Sequence, residues 1–236
     1  MSEQHISSAF DRDLEALTTL VMRMGGLVEE AIEQASEALA TRDVELAERI
    51  RKADKTIDAL EEHINEEAAR VIALRAPVSR DLRTILTFLR LAASLERIGD
   101  YAKNIAKRTA VLVELPPVSG SDASLRRMAR EVRGMLKDTL DAYVRSDAAL
   151  AEDVRQRDQE VDQMYNALFR EFLTFMMEDP RQITPCMHLH FVAKNIERMG
   201  DLTTNMSEQV IYRITGILPD DSRPKSDMTT RVADPG

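Results

Sequence analysis

The segment Leu95-Glu96-Arg97-Ile98-Gly99-Asp100 recurs 101 positions later as Ile196-Glu197-Arg198-Met199-Gly200-Asp201, with four identities and two apolar-for-apolar exchanges. A chain that repeats itself folds as two alike units, so this self-similarity constrains the architecture before any local propensity does. The match extends upstream. Asp43 pairs with Asp147, and Ala53-Asp54-Lys55-Thr56-Ile57-Asp58 with Arg157-Asp158-Gln159-Glu160-Val161-Asp162, both at a spacing of 104. The fall from 104 to 101 gives the second copy a connection three residues shorter between its second and third helices. Asn104 and Asn205 follow their motifs at the same distance. Between the copies, Glu114-Leu115-Pro116-Pro117-Val118-Ser119-Gly120-Ser121-Asp122 carries the paired prolines and the glycine that break a helix.

Hydrophobic periodicity assigns the elements. Phe10, Leu14, Leu17, Val21, Met24, Val28, Ala31, Ala35 and Ala38 alternate steps of four and three, the seam of a packed helix. This predicts a first helix from near Ser8 to near Thr41. Asp43 is expected to cap a second helix with the seam Leu46, Ile50, Ala53, Ile57, Leu60, Ile64, Ala68 and Val71. Pro77 ends it, and Ser79 is expected to cap a third helix running to about Val113. The fourth helix carries Leu125, Met128, Val132, Met135, Thr139 and Ala142, and the fifth, from Asp147, carries Leu150, Val154, Val161, Met164, Leu168, Phe172 and Phe175. Thr184-Pro185 reads as the cap and first-turn proline of the sixth.

The expected fold class is therefore all-α, two tandem three-helix bundles. The first bundle spans 8–113, a linker 114–122, the second bundle 123–216, and a mobile tail without a seam 217–236. With 4% aromatic residues and no Trp, the core has to be aliphatic. Cys186 is the single cysteine, has no partner at metal-ligand spacing, and reads as a reduced structural thiol in a cytoplasmic protein. No run of about 18 apolar residues is present to span a bilayer, and the N-terminus lacks the pattern of a signal peptide. A net charge of -9 opposes a hold on nucleic acid, which depends on Lys and Arg neutralising phosphates.

The chemistry lies beside the seams. Glu96, Asp100 and Asn104 are spaced by four, so their side chains neighbour one another along one helix face. Asp54 and Asp58 repeat the arrangement on the second helix, one position beyond Ala53 and Ile57, at what this register makes the bundle's edge. Asp158, Asp162, Glu197, Asp201 and Asn205 rebuild it in the second copy. Carboxylates gathered in this way raise one another's pKa or recruit a cation. An oxygen-only donor set favours hard ions such as Mg, Mn or Ca, with iron or zinc where bridging carboxylates hold several metals. With 41 acidic residues, chance supplies about seven pairs at i, i+4, so one pair carries no weight and the doubled, repeated pattern carries the argument. Arg97 and Arg198, each three residues before its Asp, offer the plainer alternative of surface ion pairs.

Taken together, Leu95 to Ala106, the ending Gln209-Val210-Ile211-Tyr212-Arg213-Ile214-Thr215-Gly216 and the entry Ala76-Pro77-Val78-Ser79-Arg80-Asp81-Leu82-Arg83 resemble the PhoU family of phosphate-signalling proteins, over about residues 8–216. The resemblance implies a cytoplasmic, homodimeric, non-enzymatic negative regulator of phosphate uptake and of the phosphate-starvation response. It implies metal clusters on Asp54, Asp58, Glu96 and Asp100 and on Asp158, Asp162, Glu197 and Asp201; the donor chemistry makes Mg, Mn, Zn or Fe the expected ions, and the spacing offers Asn104 and Asn205 as accessory donors. As partners it implies the ATPase subunit of the phosphate ABC transporter and the phosphate-sensing histidine kinase. The second copy departs at its third-helix entry, where Ile183-Thr184-Pro185-Cys186-Met187-His188 replaces the Asp81-Leu82-Arg83 segment.

Three other readings stand beside this one. A di-iron bundle enzyme wants Glu-x-x-His on two helices, yet Ser2, Leu60, Pro185 and Met187 precede His5, His63, His188 and His190 by three. A phosphotransfer module would use His63 or His188 on a helix, where a lone histidine is more often a packing residue. A metal-free helical scaffold or adaptor is the principal alternative.

Overall fold

The structure, a computed structural model, describes residues 2–219; of the tail expected at 217–236, residues 220–236 lie outside the described residues. Six α-helices follow in order: α1 (Ser2–Thr41), α2 (Val44–Arg75), α3 (Ser79–Leu112), α4 (Ser121–Arg145), α5 (Ala148–Glu178) and α6 (Ile183–Thr215), with a 3-10 turn at Pro180–Gln182 before α6. Among the described residues there is no strand.

The helix ends show the repeat in hydrogen bonds. Asp43 accepts from the Leu46 N–H at the start of α2, and Asp147 from the Ala149 and Leu150 N–H groups at the start of α5. Just before each cap, Arg42 and Ser146 adopt left-handed backbone at φ 56° and 54°, and the Asp43 and Asp147 N–H groups reach back to Ala38 and Ala142, each at 2.9 Å. Both connections therefore close the preceding helix in the same way, by a left-handed residue and a backward hydrogen bond.

Three boundaries differ from expectation. α1 starts at Ser2 and not near Ser8, there being no Gly or Pro between the two to stop it. Ser79 does not cap α3. It is the first helical residue, with φ 51°, whereas a cap needs extended backbone, and Val78 holds that place without a side-chain hydrogen bond. Thr184 does not cap α6 either, because Asp179-Pro180 acts first: Asp179 caps the 3-10 turn by accepting from the Arg181 N–H, and that turn leads into α6 with Thr184 and Pro185 already inside.

Within each copy the three helices pack on one another, α1 with α2 and α3, and α4 with α5 and α6. The copies are also joined broadly, α3 against α6 and α1 against α4, so one aliphatic core runs through both. Gly25 admits Leu140 where a Cβ would collide with its methyl. Phe88 meets Tyr143 edge to face at 5.6 Å. Glu33 and Glu37 on α1 pair with Arg133 and Arg126 on α4. The Arg108 guanidinium lies 4.3 Å over the Phe191 ring between α3 and α6. The connection between the copies is pinned, with Val118 buried and the Leu115 carbonyl accepting from Arg42 at 3.2 Å.

Candidate functional site

Two glycines let the acidic helices approach. A Cβ on Gly99 would stand 3.1 Å from Ile57 Cδ1, and one on Gly200 would stand 3.3 Å from Val161 Cγ1 and 3.4 Å from Asp158 Oδ1. The glycine inside each repeated motif thus allows α2 to close on α3, and α5 on α6, at the level of the carboxylates.

In the first bundle the acidic side chains share one neighbourhood. Partial burial of the Asp58 carboxyl, then the charge of Asp54 and more weakly Asp100 and Glu61, pushes its pKa up. Burial and then Asp100, Asp58, Glu61 and Asp54 do the same for Glu96. Glu61, one turn beyond Ile57 on α2, belongs to this group; its i, i+3 spacing from Asp58 is the signal in the sequence that could have included it.

Asp54 does not lie at the edge. It is 4% exposed, whereas Ala53, assigned to the seam, is exposed: the buried line of α2 runs Ala47, Ile50, Asp54, Ile57 and Leu60. A carboxylate is tolerated there because Lys103 on α3 places its ammonium on Asp54 and, at 3.0 Å, on Asp100. Those two partners push the Lys103 pKa up. Arg97 and Arg198, the partners in the alternative of plain surface ion pairs, make no ion pair among the described residues.

The second bundle buries more of its acid. Asp162 and Glu197, also expected at the edge, are buried, and Asn166 and Asn195 are buried near them in the sequence of α5 and α6. Lys194 donates to Glu197 Oε1 at 2.7 Å and lies 4.9 Å over the Tyr165 ring. Glu197 Oε2 is buried without a hydrogen-bond partner among the described residues. Burial, with Asp201 and Asp162 adding to it, pushes the Glu197 carboxyl up to about 7 despite Lys194. Asn104 is half-buried and Asn205 exposed, one turn beyond Asp100 and Asp201. Thus a lysine, Lys103 three residues after its Asp or Lys194 three before its Glu, is the counterion in each copy, legible as i, i+3 spacing.

The donor chemistry fits a hard cation, with oxygen ligands throughout and one orphaned buried carboxylate oxygen. The geometry does not complete a site. Among the described residues no three His, Cys, Asp or Glu side chains come together so as to hold a metal ion. Two of the described histidines are engaged elsewhere: His190 packs against the rings of Tyr165 and Phe169 at 5.9 and 5.4 Å, and His188 Nδ1 is 3.2 Å from Arg108 Nη1.

Fold and site together define a class, tandem three-helix bundles carrying a lysine-closed acidic motif in each repeat. The PhoU domain matches at residues 21–109 and again at 125–210, in step with the repeat. The chain is 45% identical over 228 residues to the phosphate-specific transport system accessory protein PhoU homolog of Caulobacter vibrioides, covering 97% of this chain and 99% of that protein. It is 44% identical over 232 residues to the homolog of the same description in Rhizobium meliloti, covering 98% of each. The crystal structure of PhoU from Pseudomonas aeruginosa superposes with a TM-score of 0.85 at 38% identity, covering 88% of this chain and all of that one. That of the phosphate transport system regulatory protein PhoU from Streptococcus pneumoniae superposes at 0.83 and 31% identity, covering 89% and 99%. The chain belongs to the PhoU family.

Proposed function

We propose that this protein is an accessory regulator of phosphate transport that acts by docking on other proteins and not by catalysis. The observation that carries this is full-length similarity to relatives named as phosphate-specific transport accessory proteins. In each repeat the acidic group is closed by a salt-bridged lysine, Lys103 on Asp54 and Lys194 on Glu197. By this reading the protein is a cytoplasmic homodimer working beside the transporter; no described helix is long and apolar enough to cross a membrane. The partners are the ATPase subunit of the phosphate ABC transporter and the sensor histidine kinase of the starvation response, which the protein restrains when phosphate is plentiful. Acidic surface steers such encounters and makes association salt-dependent.

Divalent or trivalent ions bind the two acidic groups, by this reading, only when Lys103 and Lys194 give way. The ligands are Asp54, Asp58, Glu96 and Asp100 in one bundle, and Asp158, Asp162, Glu197 and Asp201 in the other. Bound metal would neutralise carboxylates that now repel one another and give Glu197 Oε2 a partner. Metal analysis of chelator-free protein tests this: Glu96→Ala with Asp100→Ala should lower bound metal by about half, with helicity intact because side chains outside the apolar seam usually cost under about 0.5 kcal/mol. Unchanged metal in that variant removes the first-bundle assignment. The lysine pairing favours a second reading, a metal-free scaffold whose ammonium groups do the neutralising. Calorimetric titration of chelated and metal-loaded protein against the ATPase subunit and the kinase's cytosolic region separates the two. Equal binding in both forms leaves the scaffold, and no binding in either form ends the regulator reading.

A further inference from the structure

The first bundle has an open cleft of about 90 Å3 between α1 and α2, lined by Leu27, Glu30, Gln34, Ala53, Asp54 and Gly99 together with apolar side chains of the same helices. Carried forward by the repeat, 104 for α1 and α2 and 101 for α3, these positions become Glu131, Gly134, Asp138, Arg157, Asp158 and Gly200. In the second bundle that space is taken by Arg157. Its Nε and Nη2 donate to Glu131 Oε1 at 3.0 and 2.8 Å, and its Nη1 donates to Asp138 Oδ2 at 2.6 Å. Its Nη2 lies 3.3 Å from where a Cβ on Gly134 would stand. The first bundle carries Ala53 in the place of Arg157, a methyl where its twin has a guanidinium, and the space is left open.

We propose that this cleft receives a guanidinium group, the side chain of an arginine presented by another polypeptide. The acceptors for it are on the walls. Glu30 stands where the second bundle has Gly134 and adds a carboxylate. Gln34 replaces Asp138 and donates through Nε2 to Glu30 Oε1 at 2.7 Å, which leaves its own carbonyl oxygen and the other Glu30 oxygen to accept. Asp54, buried by more than nine-tenths, gives Oδ2 to Lys103. Its Oδ1 accepts no hydrogen bond among the described residues and lies 3.7 Å from the Cβ position of Gly99, another residue of the cleft wall. Leu27, Ala31, Ile50 and Ile57 supply the apolar surface along which an arginine's methylene stem lies. Roughly 10–15 Å3 of such space admits one water, so 90 Å3 has room for the four heavy atoms of a guanidinium. A planar, weakly hydrated cation with a fork of donors suits two carboxylates and an amide better than the compact, strongly hydrated lysine ammonium does.

The test uses the full chain after chelation, which keeps its outcome separate from that of metal binding. Arginine amide, lysine amide and the tripeptide acetyl-Ala-Arg-Ala-amide are titrated into isotope-labelled protein, and amide and methyl shifts are followed by NMR. Saturable shifts are expected at Ala53, Gly99 and the Gln34 side chain with both arginine probes, and a response about tenfold weaker with lysine amide, given the different geometry of the two cations. Ala53→Arg, which places a guanidinium of the chain's own at the cleft as Arg157 does in the second bundle, should remove binding while leaving the helical circular dichroism unchanged. Glu30→Gln should weaken it about fivefold, the upper range for a partly exposed charge pair, and localises the site even if Ala53→Arg does not fold. Absence of saturable shifts, an equal response to lysine amide, or undiminished binding in either variant overturns the proposal. Binding of free arginine amide without the tripeptide overturns its polypeptide half and makes the cleft a small-molecule site.

Discussion

Replacing Glu197 with Gln isolates the cost of one buried carboxylate. In the folded protein this group titrates near 7, raised from 4.5 chiefly by burial. Between those two values the folded state holds a proton that the unfolded chain has released, so stability falls as pH rises across that window. One pKa unit corresponds to about 1.36 kcal/mol, which sets a ceiling of about 3 kcal/mol on the loss between pH 4.5 and 7. Gln keeps the shape and carries no charge, so Glu197→Gln should show no such loss. Urea unfolding of both proteins after chelation, at pH 5 and pH 8, gives the quantity that matters: the stability of the variant minus that of the parent, in which other titrating groups cancel. That difference should grow with pH by about 1 to 3 kcal/mol, the lower figure allowing for the variant's lost Lys194 ion pair. At about 2–4 °C per kcal/mol for a chain of this size, the variant's melting temperature relative to the parent's should rise by several degrees between pH 5 and pH 8. A difference that stays flat or shrinks from pH 5 to pH 8 would refute the reasoning, because Glu197 would then be ionised without penalty.

Lys103→Ala leaves the buried Asp54 carboxylate without its ammonium and should cost about 3 kcal/mol in urea unfolding; adding Asp54→Asn should recover most of the loss, and additive losses in the double variant would mean the pair does not act as a unit. Gly25→Ala places a methyl against Leu140 at the α1–α4 contact and should cost about 1–3 kcal/mol as overpacking; the same substitution at Gly26, which meets nothing within 4 Å, should be neutral or stabilising, and equal behaviour of the two would argue against close packing of the copies.

The architecture was readable from the chain because both of its signals are local. The i, i+4 seams of α1 and α4, twice ending in an aspartate cap at Asp43 and Asp147, depend only on neighbours along one helix. The 101-to-104 spacing then states that the same unit is built twice. Where two local signals competed, as Asp179-Pro180 did with Thr184-Pro185, periodicity gave no means of ranking them, and the earlier cap acts first. The pairing of acidic residues in the two copies was equally readable, since Glu96 with Asp100 and Glu197 with Asp201 share a face whatever packs beside them.

Which of those carboxylates enters the interior was decided by the tertiary structure. Adjacent helix positions differ by about 100° around the axis, 3.6 residues to the turn, and Ala53 and Asp54 both stand within reach of a seam through Ile50 and Ile57. Composition favours alanine inside. The fold chooses aspartate, because α3 sets Gly99 and the Lys103 ammonium opposite it, and the ion pair offsets a desolvation that no partner on α2 supplies. The same holds between the copies. Nothing local shows that α1 lies on α4 and α3 on α6, or that Ala53, where the second copy has Arg157, borders an open cleft, since these depend on what another helix brings across the gap. A helix sequence records which of its faces is covered, and only the packed structure supplies the groups that cover it.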